Sequence, residues 1–122
     1  MSNAINWFEI PVSDFNRAKK FYETILAAEM PVMEAMGMQS AFFPVDLQSG
    51  AIGGCIIKGA GYEPSVKGAL VYLNGGNDLN EILNRVTAAG GVITLPKTAI
   101  GKNGFMAHFT DSEGNKIGLH SA

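Results

Sequence analysis

An internal repeat constrains the fold of this chain more than any other feature of its sequence. Aligned without a gap, Phe43-Pro-Val-Asp46 falls on His108-Phe-Thr-Asp111, and Gly53 then falls on Gly118. Each copy contains the pattern of a strand, a helix that follows an Asp, and three further strands. A repeated supersecondary unit fixes the architecture, because neighbouring units bury their apolar faces together. We therefore predict two βαβββ modules.

The boundaries of the modules follow from turn and linker residues. We predict one domain over residues 1–122, with module one at about 4–58, a linker at about 59–67 and module two at about 68–122. Module two should begin with a strand from Gly68 to Leu73. In Asp78-Leu-Asn-Glu81 we predict a capping box, in which the two carboxylates accept helix amides reciprocally. Residues 92–95 indicate a short strand, whereas residues 30–39 show too little periodicity for an assignment.

Composition excludes several classes of protein. Apolar residues make up 47% and charged residues 16% of the chain, a globular balance without an apolar run of membrane-spanning length. A net charge of −2 with scattered basic residues argues against a nucleic-acid partner. The segment Met1-Ser-Asn-Ala4 lacks a signal-peptide pattern, and the single cysteine, Cys55, is typical of a reducing compartment. We expect a cytoplasmic protein with no membrane partner.

Two segments near opposite ends of the chain carry a family resemblance. The segment from Phe8 to Tyr22, with Val12-Ser-Asp14 and Phe21-Tyr22, and the later Asp111-Ser-Glu-Gly-Asn115 together resemble the vicinal oxygen chelate superfamily. That superfamily includes glyoxalase I, bleomycin-resistance proteins, fosfomycin-modifying enzymes and extradiol dioxygenases. The resemblance implies an α+β fold of tandem βαβββ modules whose curled mixed sheets form a cup. It also implies that a homodimer often completes the cup.

In metal-using members of this superfamily, four cup positions carry His, Gln or Glu. Carried over by register, they fall on Trp7, Gly53, Gly68 and Gly118. The choice of Gly68 depends on setting Val12 on Leu73. Trp and Gly side chains offer no ligand atom to a divalent ion. We therefore predict no metal site and no cofactor.

Strand alternation predicts which side chains line the cup. The candidate ligand-binding residues are Trp7, Glu9, Cys55, Tyr72 and His120. Glu9 and His120 are also candidates for acid–base catalysis. Each has a structural alternative: Trp7 as a core residue, Cys55 as an inert buried thiol, and Glu9 as an ion-pair partner at a dimer seam. His108 is interpreted as structural or exposed.

Three functions are compatible with these residues. The first is a metal-free protein that binds a small aromatic or amphiphilic molecule, as bleomycin-resistance proteins do. The second is a glyoxalase-like lyase or isomerase, or a dioxygenase, that uses Glu9 and His120 or an atypical metal site. The third is an interaction subunit whose cup is a dimer interface. The missing chelators favour the first, because metal-dependent chemistry needs ligands for the metal.

Overall fold

The structure, a computed structural model, describes residues 3–122 and contains two curled four-stranded sheets and two helices. The elements are β1 Trp7–Pro11, α1 Phe15–Leu26, β2 Val32–Ala35, β3 Met38–Phe42, β4 Gly53–Lys58, β5 Val71–Asn74, α2 Asn80–Ala89, β6 Val92–Ala99, β7 Phe105–Thr110 and β8 Lys116–Ser121. Sheet A has the order β1-β4-β3-β2, and sheet B has the equivalent order β5-β8-β7-β6. The predicted α+β fold of tandem βαβββ modules is confirmed.

The two modules match in register as well as in order. β1 pairs in parallel with β4, and Trp7 lies opposite Gly53. β5 pairs in parallel with β8, and Tyr72 lies opposite Gly118. The remaining strand pairs are antiparallel. The parallel pair therefore sets an aromatic residue opposite a glycine at the equivalent position of each module.

The helices begin in different ways. The Asp14 side chain caps α1 by accepting a hydrogen bond from the Arg17 amide at 3.1 Å, as the sequence predicts. The predicted capping box of α2 is wrong, because that helix begins at Asn80 and its N-cap residue is Leu79. The Asp78 carboxylate instead accepts from the Asn80 amide and forms an ion pair with Lys97, both at 3.0 Å.

Three strands differ from the sequence prediction, the first being β5, which runs from Val71 to Asn74 instead of from Gly68 to Leu73. Residues 30–39 contain β2 and the turn at Met36-Gly37, where both residues have positive φ values of 57° and 76°. Every residue of β2 is exposed, so no burial pattern marks it in the sequence. The strand predicted at residues 92–95 is longer, because β6 runs to Ala99 through two register shifts in its pairing with β7.

One hydrophobic core serves both modules. Its buried side chains come from both helices and from the helix-covered sides of both sheets, and they include Ile10, Phe21, Ile56, Val86, Phe109 and Leu119. The other side of each sheet therefore faces away from this core. We call these sides the open face of sheet A and the open face of sheet B.

The turn between β7 and β8 joins the two modules through polar contacts. The buried Tyr22 hydroxyl donates to Asp111 Oδ2 at 2.6 Å, and Asn115 Nδ2 donates to the Pro11 carbonyl at 2.7 Å. Glu113 Oε1 accepts from the Asp14 amide at 2.7 Å, and Arg17 Nε donates to Glu113 Oε2 at 2.7 Å. The β7–β8 turn of module two thereby holds the start of α1 in module one.

Glu113 is a buried carboxylate within these contacts, and its side chain has no solvent exposure. Burial by itself raises the pKa of Glu113, but the Arg17 guanidinium and the amides of Asp14 and Ser13 outweigh it. The result is a pKa of about 2. A carboxyl with a lowered folded-state pKa stabilises the fold above its unfolded pKa of about 4.3, and that stability is lost as the pH falls toward 2.

We predict that Glu113→Gln lowers the free energy of unfolding at pH 7 by roughly 1.5–3 kcal/mol, the range for hydrogen bonds to charged groups. The difference from wild type should shrink between about pH 5 and pH 2, because the wild-type carboxylate becomes protonated there. Urea denaturation across this pH range measures both effects. Glu81→Gln, on the exposed first turn of α2, is the matched control. An equal difference in the free energy of unfolding between wild type and Glu113→Gln at pH 7 and pH 2 would contradict the prediction.

Candidate functional site

The open faces carry most of the residues that the sequence singles out. Trp7 is 38% exposed on the open face of sheet A, and Tyr72 is 45% exposed on the open face of sheet B. Alternation along β5, β7 and β8 places a set of mostly polar side chains beside Tyr72. They are Asn74, Met106, His108, Lys116 and His120.

On sheet B the Tyr72 ring lies over Gly118. Tyr72 and His108 both pair with Gly118, from the strands on either side of β8. A Cβ atom on Gly118 would stand 2.5 Å from the Tyr72 ring, well inside van der Waals contact. The glycine thus leaves room for the ring to cross β8, and the Tyr72 hydroxyl reaches His108 Nε2 at 2.7 Å.

The equivalent pair on sheet A is apolar. A Cβ atom on Gly53 would stand 3.3 Å from the Trp7 ring and 2.9 Å from the Leu47 side chain. Trp7 makes an edge contact with Phe42, with ring centroids 5.9 Å apart. Both modules therefore place an aromatic ring over a strand glycine. The ring meets a phenyl group in one module and an imidazole in the other.

This register corrects one predicted position. Gly68 is not the equivalent of Trp7, because it precedes β5 and has a φ of +93°. Tyr72 is the equivalent, since it lies opposite Gly118 as Trp7 lies opposite Gly53. The sequence alignment that set Val12 on Leu73 differs from this register by an even number of residues. An even shift keeps each side chain on the same face, so alternation cannot detect it.

On sheet A, two further candidate residues already have protein neighbours: Glu9 has a hydrogen-bond partner, and Cys55 is buried. The Tyr62 hydroxyl donates to Glu9 Oε1 at 3.0 Å. Cys55 is 2% exposed, and burial, followed by the charge of Glu9, raises the pKa of its thiol to about 11. The thiol is therefore protonated at neutral pH and is a poor nucleophile.

On sheet B, His120 borders a cavity of about 620 Å³. Tyr72, Asn74, Ile100 and Met106 also line this cavity. His120 Nε2 lies 2.7 Å from the Asn103 carbonyl oxygen, and since a carbonyl only accepts, this nitrogen carries the proton. His120 is thus oriented by the loop that precedes β7.

The predicted acid–base candidates do not lie on the same sheet. Glu9 is on sheet A with Tyr62, and His120 is on sheet B with the Asn103 carbonyl. The structure instead joins Tyr72 to His108 by a hydrogen bond, although the sequence interpretation treats His108 as structural or exposed. Burial, and then the charge of Lys116, lowers the pKa of His108 and favours its neutral form. The signal for His108 was its position opposite Gly118, which depends on the β7–β8 register.

The described residues form neither a metal-binding cluster nor a membrane-spanning helix. Among residues 3–122, no group of three or more His, Cys, Asp or Glu side chains is placed to hold a metal ion. In the same range, no helix is both long and apolar enough to cross a membrane.

Solved structures share this fold at low sequence identity. Glyoxalase I from Zea mays is 16% identical with a TM-score of 0.66, and the match covers 95% of this chain and 43% of that one. The fosfomycin resistance protein FosX from Listeria monocytogenes is 16% identical with a TM-score of 0.65, covering 100% and 92%. A glyoxylase/bleomycin resistance protein/dioxygenase domain from Frankia sp. is 13% identical with a TM-score of 0.71, covering 97% and 96%.

Sequence comparison gives the family. No functionally curated protein matches the chain. The sequence profile of the Glyoxalase/Bleomycin resistance protein/Dioxygenase superfamily matches residues 4–119, which is nearly the whole chain. The fold, the repeated module and this match agree: the chain belongs to the glyoxalase/bleomycin resistance protein/dioxygenase superfamily.

Proposed function

We propose that this protein binds a small aromatic or amphiphilic molecule against its open faces, without the metal ion that many superfamily members use. The single observation that carries the proposal is the ring that lies over a glycine in each module. Trp7 covers Gly53 and Tyr72 covers Gly118. These are the four positions that the family resemblance assigns to metal ligands, after the correction of Gly68 to Tyr72.

The residues at these positions do not fit a divalent ion. Trp7, Gly53 and Gly118 contribute no ligand atom from their side chains. The Tyr72 hydroxyl is the one oxygen in the set, and it is hydrogen-bonded to His108. A metal site of this family's kind needs several converging donors, so we derive no metal-dependent step.

The cavities support a ligand with an apolar part. A second cavity, of about 730 Å³, lies beside β1 and β5 and reaches the helix-covered side of the sheets, and its mainly apolar lining includes Ile5, Phe8, Val45 and Leu70. Tyr72 lines both this cavity and the one beside His120. Volumes of a few hundred to about 1,000 Å³ with apolar walls and few polar groups are typical of small-molecule sites.

The enzymatic alternative has weaker support. It needs an acid–base pair that acts on one substrate, and Glu9 and His120 lie on different sheets with separate partners. Membership of the superfamily does not choose between binding and catalysis, because one fold carries many functions.

We predict that protein purified without chelators contains no stoichiometric Zn, Ni, Mn or Fe. Elemental analysis by inductively coupled plasma mass spectrometry measures the metal content per chain. About one metal ion per chain, together with turnover of a hemithioacetal or a catechol, would overturn the metal-free proposal.

We also predict that aromatic ligands stabilise the wild-type protein more than the Trp7→Ala variant. At a ligand concentration ten times the Kd, the gain in stability is about 1.4 kcal/mol. For a domain of this size, that gain raises the melting temperature by about 5 °C. The variant should show less than half of this increase, because it lacks the exposed ring of the open face. Differential scanning fluorimetry measures the increase.

The control for this comparison is Val66→Ala, which removes an exposed apolar side chain from the loop before β5. Its ligand-induced increase should equal that of wild type. Equal increases in wild type and Trp7→Ala would mean that the ligand does not contact the Trp7 ring.

We further propose that the protein is a homodimer. Its accessible surface is 7299 Å², whereas a compact monomer of this mass exposes about 6,300 Å². Several large apolar side chains are exposed on or beside the sheets, including Trp7, Val32, Met33 and Tyr72. The excess of about 1,000 Å² is comparable to the surface that each partner contributes to a standard protein interface, roughly 800 Å².

We therefore expect sedimentation equilibrium at micromolar concentration to give twice the mass of the chain. A single species at the monomer mass would contradict the dimer. A dimer in which Trp7→Ala weakens association but no aromatic ligand binds would favour the interaction-subunit alternative.

A further inference from the structure

Resting on the proposed function, we propose that the open face of sheet B binds the carboxylate group of the ligand. Tyr72, His108 and Asn74 form the donor set for this group, whereas His120 donates its Nε2 proton to the Asn103 carbonyl and only borders the same cavity. The ligand class is then a small organic acid with an aromatic or aliphatic body.

The first support is that polar groups on this face retain donors that other protein groups do not use. Asn74 Oδ1 already accepts from the Gly76 amide at 2.9 Å, so its Nδ2 group remains the free end of the side chain. Tyr72 and neutral His108 share one hydrogen bond of 2.7 Å. If Tyr72 donates to His108, the Nδ1 proton of His108 is free; if His108 donates, the Tyr72 hydroxyl proton has only the weak acceptor Met106 Sδ, 3.9 Å away. The pair therefore offers one donor in either tautomer.

The second support is the charge of the face. Strands β5 to β8 contain no Asp or Glu, whereas Lys116 lies on the open face of sheet B. Sheet A differs, because Glu9 stands on its open face. A carboxylate on the open face of sheet B therefore meets hydrogen-bond donors and no acidic side chain from these strands, and hydrogen bonds of this charged kind are roughly twice as strong as neutral ones.

The position of the carboxylate follows from the surrounding acids. Lys116 borders a cleft that Glu9 and Glu63 also line, so negative charge is already present at that end. The cavity beside Tyr72 and His120 contains no acidic side chain, and Ile100 and Met106 supply apolar surface within it. We therefore place the carboxylate beside Tyr72 and Asn74, with the apolar body against Ile100 and Met106.

Three probes of similar shape and different charge test this assignment: benzoate, benzyl alcohol and benzylamine. Each is titrated into the full chain at pH 7 while backbone amide signals of β5, β7 and β8 are followed by NMR. We expect benzoate to bind at least about ten-fold more tightly than benzyl alcohol, the effect of one charge-assisted hydrogen bond. Benzylamine should bind most weakly.

Three variants locate the effect. Tyr72→Phe keeps the ring over Gly118 and removes the hydroxyl, so the preference for benzoate should fall at least about three-fold. Tyr62→Phe removes a hydroxyl from the sheet A side and is the matched control, which should keep the wild-type preference. Gly118→Ala displaces the Tyr72 ring but retains the hydroxyl, and it should also reduce the preference.

The outcomes separate this inference from the proposed function. Benzyl alcohol or benzylamine binding as tightly as benzoate would overturn the carboxylate site and leave ligand binding intact. A benzoate preference unchanged in Tyr72→Phe would overturn the donor set. Failure of all three probes to shift any signal would count against both proposals.

Discussion

The contacts of the β7–β8 turn hold the two modules of this protein in register. Asp111 accepts a hydrogen bond from Tyr22, and Glu113 accepts one from the start of α1. Asn115 donates a hydrogen bond to the end of β1. Buried polar groups of this kind are costly unless they are paired, so the turn and the helix specify one another. The two segments that carry the family resemblance therefore contact each other in the folded chain, although they lie near its opposite ends.

With the modules fixed, the repeat places an aromatic ring over a glycine twice and gives the two rings different surroundings. Trp7 meets Phe42 across sheet A, and Tyr72 meets His108 across sheet B. A Cβ atom on Gly118 would overlap the Tyr72 ring at 2.5 Å, whereas one on Gly53 would crowd Leu47 at 2.9 Å and the Trp7 ring at 3.3 Å. The Trp7 ring thus has an apolar neighbour and the Tyr72 ring a polar one.

Much of the fold follows from local patterns, and the errors have local causes. The stripe of α1 and its Asp14 cap are set by periodicity and side-chain chemistry, and both are found. The sequence does not predict β2, because all of its residues are exposed and their apolar and polar types therefore do not alternate with burial. The capping box predicted for α2 is wrong, because Asp78 forms an ion pair with Lys97 on β6, and a local pattern does not record a contact between residues distant in sequence. The sequence does not reveal His108 as a site residue, because its place opposite Gly118 depends on the β7–β8 register.

The sequence by itself determined the duplicated module, the identity of the strands that carry Trp7, Gly53, Tyr72 and Gly118, and the lack of chelating side chains at three of these positions. These properties depend on residue type and period, which a linear pattern records. Tertiary structure alone decided that Tyr72 and not Gly68 stands opposite Gly118, and that its hydroxyl reaches His108 across β8. A shift by an even number of residues leaves each side chain of the strand on the same face of the sheet. Only the pairing of β5 with β8 therefore distinguishes the two registers.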